Sequence, residues 1–132
     1  MSIQHRQPAP EHFQIEYDPD DHVIVGRFLG RMDYNTLLPY ALATNVAVAT
    51  HACKRIITDL SNAVIAFADF EAATICDYLH AAGMDRSWKR AIVCPLNRPL
   101  LNTYADLAQQ RGFNIRVFPS HPHARAWIRE PE

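Results

Sequence analysis

Between Lys54 and Leu79 the chain reads KRIITDL, SNAVIAFADF and EAATICDYL, and this stretch constrains the fold more than any other. The β-branched residues Ile56, Ile57 and Thr58 are bounded by charge before them and by Asp59, Ser61 and Asn62 after them, which spells a strand over 54–60. Ala72, Ile75, Cys76, Leu79 and Ala82 then recur at helical spacing. Asp69 stands at the N-cap position of that helix, and Gly83 stands where a left-handed residue would end it. A strand that leads through an apolar crossover into such a helix lays the helix back on the sheet, so the next strand runs parallel to the first.

The flanking segments extend this unit in both directions. Phe13, Ile15 and Tyr17 alternate with polar residues, Asp18 to Asp21 form a turn around Pro19, and a second strand follows over 22–29, giving an antiparallel hairpin. Gly26 and Gly30 mark a bulge or a close packing approach. Leu38, Ala41, Leu42, Val46 and Ala49 give the first helix its apolar stripe. A cap at Asn35 or Thr36 leaves Pro39 harmlessly in its first turn, whereas a cap at Asp33 places Pro39 where it bends the helix; the later cap is preferred.

Beyond Gly83 a strand is predicted over 90–94, closed by Pro95. Asn97 caps a third helix with Pro99 in its first turn, Leu100, Tyr104, Leu107 and Ala108 facing inward, and Gly112 at its end. A strand over 113–118 leads to Ser120, the cap of a last helix that turns Ala124, Trp127 and Ile128 inward. The order is ββαβαβαβα. It specifies an α/β protein with a single-layer mixed β-sheet, an N-terminal antiparallel hairpin followed by parallel strands, and helices packed on it. One domain spans 12–130, and residues 1–11, with Pro8 and Pro10, read as a flexible arm.

Hydrophobic residues at 48% and charged residues at 20% over 132 residues describe an ordinary globular domain that needs no metal or disulfide to hold its core. No apolar run reaches the roughly 18 residues of a membrane span, and the chain reads as cytoplasmic. Cys53, Cys76 and Cys94 form no CxxC, so reduced thiols are expected. Up to Asp85 there are five basic and eleven acidic residues, and from Arg86 onward eight basic and three acidic. No run of more than two adjacent basic residues occurs, so we read the two halves as interleaved in space and expect no nucleic-acid partner.

No Walker loop, GxGxxG, GxSxG or HExxH is present, and four glycines leave little for a phosphate cradle. His121 and His123 point to different sides of the last helix and read as surface or capping groups. Asp59 with Asp69 or Glu71 offers a carboxylate pair, but Asp59 finishes a strand and Asp69 starts a helix. No cofactor or metal is expected. Cys94 ends a parallel strand, where ligands bind in open α/β sheets, and Asn97 and Arg98 at the next helix start suit an anion beside it. That makes a thiol-dependent enzyme one alternative, set against a small buried core residue. The crossover Val64, Ile65 and Phe67, with Phe70 behind it, is more apolar than a solvated loop. It reads as a plug at the end of the sheet or as a surface for a protein partner or a homodimer, with a small apolar, lipid-like ligand as a further alternative.

The segments VGRFLGRM, RIITDLSNA, DFEAATICDYL, KRAIVCP and FNIRVFPSHPHARAWI together resemble the small STAS-type domains, in particular the SpoIIAA-like group related to bacterial anti-sigma-factor antagonists. The resemblance covers all but the first dozen residues and the last few. It implies a non-enzymatic regulatory module that binds a partner, and the apolar crossover, with Val64, Ile65, Phe67, Asp69 and Phe70, is the region expected to make the contact. A gap-free match from Asp59 and Leu60 sets the family's Asp-Ser-Ser-Gly on Phe67, Ala68, Asp69 and Phe70. The resemblance thus implies that Asp69 replaces the phosphorylated serine and that the phospho-switch is absent.

Overall fold

The computed structural model describes residues 12–131; the arm expected over 1–11 lies outside them. Strands β1 (Phe13–Asp18) and β2 (Val23–Phe28) form the expected antiparallel hairpin, with Phe13 opposite Phe28 and Asp18 opposite Val23. At its turn the Asp18 carboxylate accepts the backbone N–H of Asp20 at 3.0 Å, the local bond that favours aspartate there. A two-residue strand β3 (Arg31–Met32) precedes helix α1 (Tyr34–His51). Next come β4 (Arg55–Asp59), a second two-residue strand β5 (Val64–Ile65), a 3₁₀ turn (Asp69–Glu71) and α2 (Ala72–Ala81). The chain closes with β6 (Lys89–Val93), α3 (Pro99–Gln110), β7 (Asn114–Phe118) and α4 (His121–Arg129).

The five long strands form one sheet in the order β1-β2-β4-β6-β7, antiparallel only at the hairpin. Because side chains alternate along each strand, the sheet carries two apolar faces. Ile24, Phe28, Ile56, Ile92 and Ile115 face α1, α2 and α3 and form the larger core. Val23, Val25, Ile57, Ala91 and Val93 face α4, which covers them with Ala124, Trp127 and Ile128. Burial on both faces explains why the inner strands read as continuous apolar runs. β3 and β5 pair in parallel as a separate ribbon, Arg31 with Val64 and Met32 with Ile65.

Helix starts depart from expectation in three places. Asp33, not Asn35 or Thr36, caps α1: its carboxylate accepts the Thr36 N–H at 3.2 Å while the Thr36 hydroxyl accepts the Asp33 N–H at 3.0 Å. This reciprocal pair satisfies two end donors at once, which a later cap could not do, and it leaves Pro39 inside the helix. The rotation that follows buries Thr36, Leu37, Tyr40, Ala41 and Thr44. Of the expected stripe only Ala41 is fully buried, and Leu38, Leu42 and Val46 are exposed.

Asp69 does not cap α2. The extended residue before the 3₁₀ turn is Ala68, so Asp69 already occupies the first helical position, and its carboxylate makes no capping bond. Glu71 reaches back instead, accepting the Ala68 N–H at 2.7 Å. Similarly, Arg98 rather than Asn97 sits at the N-cap of α3, and the Asn97 side-chain oxygen accepts from Asn102 at 2.7 Å. At the other ends Gly83 and Gly112 terminate α2 and α3 at φ 105° and 91°, as expected. Ser120 caps α4 through the His123 N–H.

Candidate functional site

Strands β2, β4, β6 and β7 run parallel and end on one edge of the molecule, at Phe28, Asp59, Val93 and Phe118. The crossover after β4 is fixed there by its own backbone: the Val64 N–H donates to Gly30 O and the Ala66 N–H to Met32 O, each at 2.9 Å. Alternation along this ribbon sorts the side chains. Val64 is 60% exposed and Ile65 half-buried, while Phe67 turns inward and meets the Tyr34 ring edge-on at 4.8 Å. One step on, Phe70 is 88% exposed beside the exposed Asp69.

The five crossover residues expected to meet a partner therefore divide. Val64, Asp69 and Phe70 face outward, whereas Phe67 plugs the core and Ile65 is half-buried. Tyr34 anchors the start of α2 further, donating to Glu71 at 3.3 Å, and burial together with that carboxylate pushes its phenol above the usual range. Sequence reasoning missed the β3–β5 ribbon, since two-residue strands show no periodicity. It also missed the role of Glu71, although a glutamate three residues after the cap and just before an apolar run is a recognisable start signal.

The structure does gather Cys94, Asn97 and Arg98, together with Asn102 and Phe118, around a cleft of about 210 Å³. Cys94 itself is buried, and its backbone N–H donates to Phe118 O at 2.9 Å. A reactive thiolate needs access to its reagent, and Cys94 presents only 7% of its surface where it lines this cleft. His121 and His123 diverge as expected. His123 bonds the Ser120 hydroxyl at 2.6 Å, while His121 lies 3.7 Å from Asp59 and accepts from Arg125 at 3.0 Å. Burial, and then the Arg125 charge, hold the His121 imidazole below its usual range in spite of Asp59. Among the described residues no group of three potential metal ligands converges.

Charge is distributed as the interleaving predicted. Arg125 pairs with Asp18 and Asp21, Arg129 with Asp21 at 2.9 Å, and Arg111 with Asp77 at 2.5 Å. Each pair joins the basic second half to the acidic first half. The Arg129 and Arg125 guanidiniums hold the Asp21 carboxyl down at about 2.

A mixed five-stranded sheet, three helices on one face, one on the other and an apolar rim at the ends of its parallel strands define an α/β module built around an exposed crossover. Its architecture is that of a solved anti-sigma factor antagonist from Mycobacterium paratuberculosis, with a TM-score of 0.59 over 92% of this chain and 98% of that one at 18% identity. At that identity the likeness is one of fold alone. No protein-family model matches the chain, and no curated protein matches it. No helix among the described residues is long and apolar enough to cross a membrane.

Proposed function

We propose that the chain is a non-enzymatic regulatory module that recognises a protein partner through the rim formed by Val64, Asp69 and Phe70. The observation that carries this reading is the exposure of Phe70, at 88%, on a turn whose flanking backbone is tied down by hydrogen bonds at Val64, Ala66, Ala68 and Glu71. A large aromatic side chain kept in water at a fixed position costs the protein solubility and contributes nothing to its core. Aromatic anchors of this kind dominate protein interfaces. The likeness in fold to an anti-sigma factor antagonist supports the same class of activity.

Asp69 gives the rim a permanent negative charge. By the resemblance it occupies the place of the family's phosphorylated serine, and it has no hydroxyl to modify. Because it does not act as a helix cap, its carboxylate is free to meet a basic group on the partner. Recognition by this module is then constitutive rather than phosphorylation-switched, and it takes place in the cytoplasm. A thiol reaction at Cys94 is the weaker reading, since the residue is buried.

The test is affinity capture from the source cell with wild type and with Val64→Asp plus Phe70→Asp, after circular dichroism has shown both to be folded. One protein captured in stoichiometric amount by the wild type and lost from the variant supports the reading; if the captured sets are identical, the rim is not the docking surface. Light scattering on the purified protein separates a second copy of the chain from a foreign partner.

A further inference from the structure

Thr36, Thr44, Lys89 and Arg90 are the buried polar and charged residues among those described. Three of them have partners that account for their burial. The Thr36 hydroxyl donates to Arg31 O at 2.9 Å and the Thr44 hydroxyl to Tyr40 O at 2.8 Å. Lys89 donates to Glu130 O at 2.8 Å and lies 4.7 Å from the centre of the Trp127 ring.

Arg90 is different. It is 7% exposed, projects from β6 to the opposite face of the sheet from Lys89, and makes no hydrogen bond or ion pair with any described residue. Its guanidinium carbon lies 5.9 Å from the centre of the Tyr104 ring. An arginine keeps its charge at every pH a protein meets, and because no fully buried side-chain nitrogen among the described residues lacks a partner, the unbonded guanidinium nitrogens of Arg90 reach open space beside them.

The same guanidinium lines a cavity between the sheet and helices α1, α2 and α3. The space is about 50 Å³, enough for about four waters or a molecule of a few heavy atoms, since a single water needs roughly 10–15 Å³ on this measure. Its walls are mainly apolar, with Leu79, Met84 and Ile92 among them. The polar groups that join Arg90 on the wall are the hydroxyls of Tyr40 and Thr58, which bond each other at 2.6 Å, and the Tyr104 ring. Burial raises the Tyr40 phenol above its usual range and keeps it a donor.

We propose that this cavity is the binding site of a small apolar monocarboxylate. A carboxylate matches the planar fork of a guanidinium with two parallel bonds and supplies the single negative charge the cavity lacks. A phosphate would bring more charge than one arginine neutralises into walls that offer few other donors. A neutral apolar molecule would leave the guanidinium unpaired. The size of the space selects an acid of two or three carbons, since a cavity that takes a benzene ring measures about 150 Å³. The site lies in the core rather than on the crossover, so this inference stands or falls separately from the docking rim.

The test uses the whole purified chain in chloride-free buffer, titrated with acetate and propionate and, as neutral shape controls, with acetamide and propionamide. The acids are expected to raise the melting temperature with concentration and to bind at least roughly tenfold more tightly than their amides. In Arg90→Met the preference for acid over amide disappears, while the unliganded variant melts at or above the wild type because an unpaired buried charge has gone. A second measurement reads the wild type itself: in its ¹⁵N spectrum, assigned by comparison with Arg90→Lys, the Arg90 Nε–H signal moves on addition of propionate and stays in place with propionamide. Equal binding of acids and amides, stabilisation by chloride alone equal to that by the acids, or shifts confined to exposed arginines would each overturn the assignment.

Discussion

Tyr40 crosses Gly26 so closely that a Cβ on residue 26 would stand 2.6 Å from Cε1 and 2.9 Å from Cζ of the ring. Gly26 pairs with Thr58 across β2 and β4, and the Tyr40 hydroxyl bonds the Thr58 hydroxyl at 2.6 Å. The missing side chain therefore makes room for the ring that carries this bond. The strand glycine marks a close approach rather than a bulge.

Gly26→Ala should accordingly cost about 1–3 kcal/mol, the usual range for overpacking a well-filled core. The same change made in a Tyr40→Ala background should cost much less, because the clash has been removed and the two sites are coupled. Urea denaturation of the four proteins measures both quantities. A Gly26→Ala protein as stable as the wild type would mean that the ring does not lie over the strand.

Asp21 links stability to pH. Its carboxyl is held down at about 2, first by Arg129 and then by Arg125, against an ordinary value of 3.8. A carboxyl lowered on folding adds stability above its unfolded pKa and loses it as the pH falls through the folded one. Melting temperature should therefore fall between about pH 4 and about pH 2, and Asp21→Asn should flatten that limb. Asp18, lowered chiefly by its bond to Arg125, leaves a residual slope in the same direction. Arg129 is 59% exposed, so added salt should shrink the difference between wild type and variant. Identical acid limbs at low salt would show that the pairs do not persist in solution.

Much of this architecture was legible in the sequence, and the failures share a cause. The hairpin, the parallel order and the glycine ends of α2 and α3 each had a local signal with one reading. α1 did not. Its sequence YNTLLPYALATNVAVATH is apolar nearly all round, so periodicity there carries no phase, and the buried Thr36 and Thr44 look polar until their hydroxyls are seen bonded to backbone. The rim was legible as an apolar crossover, but the side chains that face water depend on the β3–β5 pairing, which is set by chain closure rather than by local pattern. Arg90 gave no signal at all, because a single arginine opening a strand reads as a solvated edge.

The start of α2 offers a sharp comparison. Since Glu71 supplies the end bond and Asp69 does not, Asp69→Ala should change stability by no more than about 0.5 kcal/mol, the ordinary range for a surface site. Glu71→Ala removes the acceptor for the Ala68 N–H and the partner of Tyr34, and should cost about 0.5–2 kcal/mol, as loss of a cap does. Thermal melts of the two variants decide the matter. The reverse ranking would restore Asp69 as the cap.

The rim itself can be separated from the core beneath it by three aspartate substitutions made one at a time. Phe67 is 9% exposed and packs on Tyr34, so Phe67→Asp buries an unpaired charge and should be destabilising by several kcal/mol. Val64 and Phe70 point outward, at 60% and 88% exposure, so Val64→Asp and Phe70→Asp should each stay within about 0.5 kcal/mol of wild type. Removing solvent-exposed apolar surface relieves no packing and leaves no cavity, whereas the same substitution three residues away from Phe70 opens the end of the sheet. Urea midpoints give the stabilities, and binding to whichever partner the wild type captures gives the function. Loss of binding by Phe70→Asp at unchanged stability identifies it as an anchor of the interface; unchanged binding by both surface variants would move the interface to another part of the molecule.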